Sequence, residues 1–183
     1  MDAVRTLLLL GFAALAMTGG VAGASWWFED GRRLRRILKK VLGRTPDAEA
    51  IDALYGRAAG IDLQSGAVAV LWDKGGSGLV YAFGELQGAE LIVDGQVASR
   101  VGRGERRPLD TVASEAMDVT LRLIFDNPRW PEFEVALWGE ASVTRARPGD
   151  SVAEAVKLGR RWLAHIDALM RNPPVTAGDQ DAA

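Results

Sequence analysis

Two groups of cationic side chains are the clearest candidates for binding another molecule in this 183-residue chain. The first is a basic run made of Arg32, Arg33, Arg35, Arg36, Lys39 and Lys40. The second is a set of arginines interspersed with glycines, made of Arg100, Arg103, Arg106 and Arg107. Guanidinium and ammonium groups pair with phosphate and carboxylate oxygens. The first group therefore predicts contact with anionic lipid. The second predicts contact with anionic lipid or an acidic protein partner, or else a solvated loop.

Residue types that carry catalysis are sparse or poorly placed. The chain has no cysteine, which excludes disulfides, thiolate metal sites and cysteine nucleophiles. The single histidine, His165, has neither a ligand cluster nor a serine nucleophile motif around it. Residues 75–78 are glycine-rich but lack the ending of a phosphate loop, and Asp110, Glu115 and Asp118 are irregularly spaced. The sequence predicts no enzyme, metal or cofactor; an undetected enzyme with an Asp/Glu and Arg site is the alternative.

An apolar segment, residues 6–28, lies directly before the first cationic group. About 20 apolar residues suffice to cross a bilayer as a helix. Trp26 and Trp27 stand where an interfacial aromatic belt would lie, and the cations that follow favour the cytoplasmic side. Residues 1–28 are therefore predicted to be a transmembrane anchor, with the rest of the chain on the cytoplasmic face of the inner membrane.

A cleaved signal peptide is the alternative for the same segment. Arg5 would be its basic region, and Ala24 would end a small-residue cleavage site, which would release an envelope protein into the periplasm. Asp2 and the dense basic run beyond the site argue against export. Gly19 and Gly23 have the spacing of a helix-packing motif, which would allow a homodimer, or they simply fill the anchor.

Charge is unevenly distributed along the chain. Eight of the 22 basic residues lie before residue 45, but only three of the 24 acidic residues do. A cationic neck on an acidic body fits anionic lipid better than nucleic acid, for which no binding is expected.

The cationic run is predicted to be a helix. Asp30 would cap it, Gly43 would end it, and apolar residues recur at helical spacing: Leu34, Ile37, Leu38, Val41 and Leu42. A basic amphipathic helix beside an anchor is expected to lie on the membrane surface. The alternative is a helix packed on the domain with its cations in water. A second helix is predicted from Thr45 to Gly60, so that residues 29–60 would hold two helices.

The period of the pattern changes after residue 60. Alternating apolar residues and turn signals predict about seven short strands, with the sharpest hairpin signal at Asp94-Gly95. Trp130 and Trp138 are expected in the core, or else on a partner surface. Ser151 and Glu154 form a capping box for a final helix whose Trp162 would press on the core.

These elements predict an α+β domain over residues 61–172, in which an antiparallel, partly open barrel of about seven strands is closed by a long C-terminal helix. Residues 173–183 are small and acidic and are predicted to be a disordered tail.

Short motifs carry a resemblance to a known family. Residues 60–63 precede a hairpin, residues 79–86 form an aromatic strand, and residues 89–93 lead into Asp94-Gly95. This order resembles bacterial membrane-associated domains of the pleckstrin-homology-like type, and also single-pass anchored proteins of alphaproteobacterial type. The resemblance implies a binding or scaffolding module. Phosphoinositide-binding members place cations at the first hairpin loop, where this chain has Gln64, Ser65 and Gly66, so no headgroup site is carried over.

Overall fold

The computed structural model of the chain describes residues 30–107, 115–139 and 151–172. The predicted anchor with Gly19 and Gly23, and the predicted tail at 173–183, lie outside the described residues. Among the described helices, none is both long and apolar enough to cross a membrane.

The described residues form an α+β structure with two α-helices, two short 3₁₀ helices (Asp73–Gly75 and Phe83–Glu85) and two antiparallel sheets, which confirms the predicted class. The α-helices are α1, which is described over residues 30–42, and α2 (Val152–Arg171). The strands are β1 (Ala48–Asp52), β2 (Arg57–Asp62), β3 (Ala67–Trp72), β4 (Ser77–Ala82), β5 (Leu86–Val93), β6 (Gln96–Gly102), β7 (Glu105–Arg107), β8 (Val119–Phe125) and β9 (Glu132–Trp138).

The strands divide into two separate sheets rather than the single curved sheet expected. Sheet 1 has the order β1-β2-β3-β4, and sheet 2 has the order β7-β6-β5-β8-β9. The described ranges thus contain nine strands instead of about seven. The two additional strands are β1, in a segment predicted to be helical, and β7, in the arginine-rich stretch predicted to be a loop.

The predicted second helix at 45–60 is wrong, because this segment forms β1 and β2. The two strands pair in register from Ala48 opposite Ile61 to Asp52 opposite Arg57. The carboxylate of Asp52 accepts hydrogen bonds from the backbone N–H groups of Leu54 and Tyr55 at 3.1 and 3.0 Å, which stabilises a turn instead of a helix. Small alanines fit either period, so pairing with β3 and burial in the core decide the outcome.

One hydrophobic core lies between the inner faces of both sheets and one side of α2. α2 contacts β1, β5, β6, β8 and β9, and it buries Trp162, Leu163 and Ile166 there. The backbone N–H of Glu154 donates to the Ser151 hydroxyl at 3.2 Å, so the predicted N-cap is confirmed. The prediction that Trp162 presses on the core is confirmed as well.

Helix α1 covers the outer face of sheet 1. Its Leu34 and Leu38 are fully buried in a separate cluster with Ala58, Ala69 and Leu71. Small residues on the sheet allow this close approach, since a Cβ at Gly60 would lie 3.2 Å from Leu38 Cδ2. The expectation that the apolar stripe of α1 rests in the membrane surface is therefore corrected. That stripe packs on the domain except at Val41, which is exposed.

Candidate functional site

The outward side of α1 presents the predicted cations together. Leu34 and Leu38 face the sheet, whereas the cations on the other side of the helix are all exposed: Arg32, Arg33, Arg35, Arg36, Lys39 and Lys40. Arg35 Nε lies 2.6 Å from Glu49 Oε1 on β1. Within the described residues, Arg33, Arg36, Lys39 and Lys40 have no ion pair. We call this set of six residues the cationic face.

Ion pairs fasten α1 to sheet 1 at both ends. Among its first described residues, Asp30 Oδ2 accepts a hydrogen bond from Lys74 Nζ in the β3–β4 turn at 3.1 Å. Asp30 is already helical, so it is not the N-cap that was predicted. Beyond the end of α1, Arg44 Nη1 lies 3.6 Å from Asp62 Oδ1 and also donates to Gln64. The helix therefore runs the length of the sheet, and its cations are held on a rigid support.

The charge of Asp62 is itself stabilised. Burial raises the pKa of this carboxyl, but hydrogen bonds from Ser65 and Gln64 and the nearby Arg44 outweigh it, so the pKa falls below the ordinary 3.8. The Ser65 hydroxyl donates to Asp62 at 2.7 Å. A charged Asp62 thus provides a permanent partner for Arg44 at neutral pH.

A groove of about 640 Å³ adjoins the cationic face. It lies between α1, the edge strand β1 and α2, and it is lined by Arg35, Arg36, Lys39, Thr45, Pro46, Asp47, Ala48, Glu49, Leu158 and Arg161. Arg161 was missed by the sequence reasoning, because periodicity marks it only as an exposed position on α2. Glu49 is already paired with Arg35, which leaves Asp47 to oppose the remaining cations in the groove.

The second predicted cation group is not a loop but the β6–β7 hairpin. Arg100 lies in β6, and its Nε is 3.0 Å from Glu90 Oε1 on β5. Arg103 lies in the turn and donates from Nη2 to the Gly84 carbonyl at 2.8 Å. Both described side chains thus make contacts within the domain. The side chains of Arg106 and Arg107 lie outside the described part of the structure.

Glu90 explains why Arg100 is needed in the sheet. The side chain of Glu90 is only 5% exposed, and Arg122 Nη1 on β8 lies 3.0 Å from Glu90 Oε2. Arg122 continues the chain of charges to Glu134 on β9, at 2.7 Å from Nη2. The hydrogen bond with Glu134 raises the pKa of Arg122 above its ordinary value, so this residue stays charged. Alternating charges across four strands therefore stabilise sheet 2, and a buried carboxylate without such partners would be costly.

A separate cleft of about 450 Å³ is lined mainly by aromatic and aliphatic side chains. Its lining residues are Arg57, Val70, Trp72, Leu79, Tyr81, Trp130, Glu132, Phe133 and Glu134. The ring centroids of Trp72 and Trp130 are 5.3 Å apart at a tilt of 34°, and Phe133 lies 6.4 Å from Trp72. Glu132 and Glu134 are both near Arg122, so the acidic rim of this cleft is largely neutralised.

Trp130 is held at the surface rather than in the core. It is 48% exposed, which corrects the expectation of burial, whereas Trp138 is partly buried and packs against the core. Asn127 Oδ1 accepts from the backbone N–H groups of Arg129 and Trp130, at 3.0 and 3.2 Å. The Tyr81 hydroxyl donates to the Trp130 carbonyl at 3.4 Å. These contacts fix the turn that carries the exposed ring.

The weaker catalytic candidates are not brought together. Asp110 lies outside the described residues, Glu115 is exposed, and Asp118 accepts from the Thr120 hydroxyl at 3.0 Å. His165 is partly buried on α2. No group of three His, Asp or Glu residues within the described ranges could hold a metal ion.

The cationic face and the aromatic cleft are therefore the two surfaces on which a function can be argued. Comparisons with protein-family models, curated proteins and solved structures find no match for this chain. The pleckstrin-homology-like resemblance stays a prediction, and the functional argument rests on these two surfaces.

Proposed function

We propose that this chain is a membrane-anchored interaction module whose cationic face contacts anionic lipid at the cytoplasmic face of the inner membrane. The observation that carries the proposal is the division of α1 into two sides. Leu34 and Leu38 are fully buried on sheet 1, while Arg33, Arg36, Lys39 and Lys40 are exposed and have no ion pair among the described residues. The contact with lipid is thus electrostatic and involves no insertion of the apolar stripe.

Charge arithmetic supports a useful affinity. Each Lys or Arg near an anionic leaflet contributes about 1 kcal/mol, and the attraction fades over a Debye length of about 8 Å. Because α1 is fastened at Asp30 and at Asp62, several cations approach the surface at once without a further ordering cost. A domain already tethered by an anchor needs only a few kcal/mol to be held against the bilayer.

The role proposed is binding rather than catalysis. The domain would hold itself at the inner leaflet and leave other surfaces free for a partner. The predicted homodimer through Gly19 and Gly23 remains a separate proposal, because it concerns residues outside the described ranges.

The test uses the full chain reconstituted in vesicles of phosphatidylcholine, alone or mixed with phosphatidylglycerol. Because the protein has no cysteine, Val41→Cys gives a single labelling site at the end of α1, where the side chain is exposed. Energy transfer from this label to headgroup-labelled lipid is expected to rise with phosphatidylglycerol and to fall with salt. Replacing Arg33, Arg36, Lys39 and Lys40 by Gln should abolish the rise.

A matched control removes four exposed cations elsewhere: Arg103, Lys157, Arg160 and Arg171. Lys157 and Arg171 make only exposed pairs with Glu154 and Asp167, so the fold should tolerate the change. The control should respond to phosphatidylglycerol as the parent chain does. Energy transfer that ignores both lipid charge and the α1 substitutions would overturn the proposal, as would recovery of a soluble periplasmic chain that begins at Ser25.

A further inference from the structure

The exposed aromatic residues are concentrated at one end of sheet 1. Tyr55, in the β1–β2 turn, is 69% exposed, and Trp130 is 48% exposed beside Trp72 at the end of β3. We call these three residues the aromatic end. Single exposed apolar residues are ordinary, but a cluster that three separate segments bring together is more informative.

Contacts between turns show that these segments share one end of the domain. The backbone N–H of Lys74, two residues after Trp72, donates to the Gly56 carbonyl next to Tyr55 at 3.0 Å. A Cβ on Gly56 would lie 2.7 Å from Lys74 N, and φ is +64° there, so this close approach requires glycine. The two turns are therefore packed against each other.

The first described residues of α1 also lie at this end. Lys74 pairs with Asp30, and a Cβ on Gly31 would lie 3.8 Å from Ala53 Cβ in the β1–β2 turn. The apolar segment predicted as the anchor ends at residue 28, only two residues earlier. An extended chain covers at most about 3.5 Å per residue, so the end of that segment is within about 7 Å of Asp30.

The opposite end of sheet 1 has a different surface. Arg44 follows α1 there, next to Asp62, and the β2–β3 turn exposes Gln64 and Ser65. No aromatic ring is exposed in that turn. The aromatic and polar ends are thus separated by the length of the sheet, and only the aromatic end is beside the predicted anchor.

We infer that the aromatic end lies against the lipid–water interface and that the domain is inclined, so that the cationic face still faces the bilayer while the polar end is farther from it. Tyr and Trp rings favour the headgroup region, because an apolar ring and a polar N–H or O–H suit its mixed character. The inference rests on the proposed anchor and adds an orientation to it. It also predicts that Arg32 and Arg33, near the start of α1, are closer to lipid than Lys39 and Lys40.

Charge pairing favours lipid over a cationic ligand as the occupant of this surface. The acids of the neighbouring cleft, Glu132 and Glu134, are already engaged by Arg122, at 3.5 and 2.7 Å. Arg57 and Arg129, which flank the aromatic residues, are exposed cations that suit an anionic headgroup layer.

The experiment uses full-length chains with one nitroxide-labelled cysteine each, reconstituted in phosphatidylcholine vesicles with and without phosphatidylglycerol. Tyr55→Cys and Arg129→Cys report on the aromatic end and leave Trp130 in place. Thr45→Cys and Gln64→Cys, both exposed, are the matched controls at the polar end. Relaxation by oxygen, which concentrates in lipid, is compared with relaxation by a water-soluble nickel chelate.

The labels at 55 and 129 are expected to be poorly accessible to the nickel chelate and readily accessible to oxygen. The labels at 45 and 64 should stay accessible to the nickel chelate. Adding Trp130→Ala should move the label at 55 toward water. Equal nickel accessibility at both ends would overturn the inference and leave the aromatic end free for a protein partner.

This outcome is separable from the lipid-charge test. If the label at 41 responds to phosphatidylglycerol while the labels at both ends are equally accessible to the nickel chelate, the inference fails and the proposed function stands. If the labels at 55 and 129 enter lipid in both mixtures while the label at 41 ignores charge, the inference stands and the charge contact fails. A soluble chain beginning at Ser25 overturns both.

Discussion

The two helices of this protein share one sequence pattern but have different surroundings. α2 buries Trp162 and Ile166 in the core between the sheets, and α1 buries Leu34 and Leu38 on the outer face of sheet 1. Their outward sides differ more. Two exposed cations of α2 pair with acids one turn away, in Lys157–Glu154 and Arg171–Asp167, whereas four cations of α1 have no such pair in the described residues.

The comparison separates the side chains of the helices that stabilise the fold from those that are proposed to contact lipid. Both apolar stripes are needed for stability, so truncating either one should destabilise the fold. α1 has four exposed cations without an ion pair among the described residues and α2 has two, Arg160 and Arg161, so the outward side of α1 should affect lipid contact most. Four predictions test this division, from the largest expected effect to the smallest.

Trp162→Ala should have the largest effect on stability. The side chain is fully buried, so truncation leaves a cavity that costs about 3–5 kcal/mol of the free energy of unfolding. Trp162→Phe should cost much less, because Nε1 is buried without an acceptor among the described residues and its removal relieves that cost. Urea unfolding of the full chain in mild detergent measures both, with exposed Arg161→Ala as the control. A loss as small as the control's would mean that α2 is not part of the core.

Leu38→Ala should come next, at about 2–4 kcal/mol, since this side chain is fully buried between α1 and sheet 1. Val41→Ala on the same helix should change stability by less than about 0.5 kcal/mol, because Val41 is 42% exposed. The same urea titration compares the pair. Equal effects would show that the apolar stripe of α1 is not packed on the domain, and would return this helix to the membrane surface.

Replacing two helical glycines by alanine should change the stability of the protein in opposite directions. A Cβ on Gly159 in α2 would overlap the Leu91 side chain in the core, so Gly159→Ala should lose about 1–3 kcal/mol through overpacking. Gly31 in α1 has room for a Cβ, so Gly31→Ala should gain about 0.5 kcal/mol from lower backbone entropy in the unfolded chain. Thermal unfolding of both variants measures the signs. A gain at Gly159 would contradict the close packing of α2 on β5.

The smallest effects should appear in the pH dependence of two buried carboxyls. Burial raises the pKa of Asp52 above 3.8, despite hydrogen bonds from Tyr55 and Leu54, so its contribution to stability is full below the unfolded pKa and is lost as pH rises through the folded value. The pKa of Asp62 is lowered, so its contribution is present above about 3.9 and is lost as pH falls through the folded value.

Asn variants of these two residues separate the effects. Asp62→Asn should destabilise the protein by about 1 kcal/mol at neutral pH and by little in strong acid, because it weakens the fastening of α1 through Arg44. Asp52→Asn should be better tolerated at neutral pH than in acid, since it removes a carboxylate whose charge is costly there. Urea unfolding midpoints, measured at intervals from about pH 3 to about pH 7, show how the stability of each variant changes with pH. Parallel curves for both variants would contradict the opposite pKa directions.

Local sequence signals predicted the elements that depend on local chemistry. The Asp94-Gly95 hairpin is confirmed, with positive φ of 50° and 76°, because few residues other than Asn, Asp and Gly adopt this turn. The start of α2 is confirmed at Ser151 for a similar reason, since its hydroxyl satisfies a free N–H of the first turn. The helical stripe of α1 was recognised as well.

Predictions that depended on a distant partner failed or remained open. The stripe of alanines in residues 48–59 suits a helix or a strand, and pairing with β3 selects the strand. Trp130 was expected in the core, but the Asn127 turn and the Tyr81 hydroxyl hold it at the surface. Arg100 was expected in a solvated loop or a loop that binds an anion or partner, but it lies in β6 and pairs with Glu90, which is ten residues away in sequence and opposite it in the sheet.

By itself, the sequence determined the α+β class, the cation cluster beside an apolar segment and the start of the C-terminal helix, because periodicity, charge and capping act over a few residues. Only the tertiary structure decided that α1 packs on sheet 1, which arginines are paired and where the aromatic residues meet. Those outcomes depend on burial and on contacts between segments far apart in the chain, whose free energies no local pattern contains.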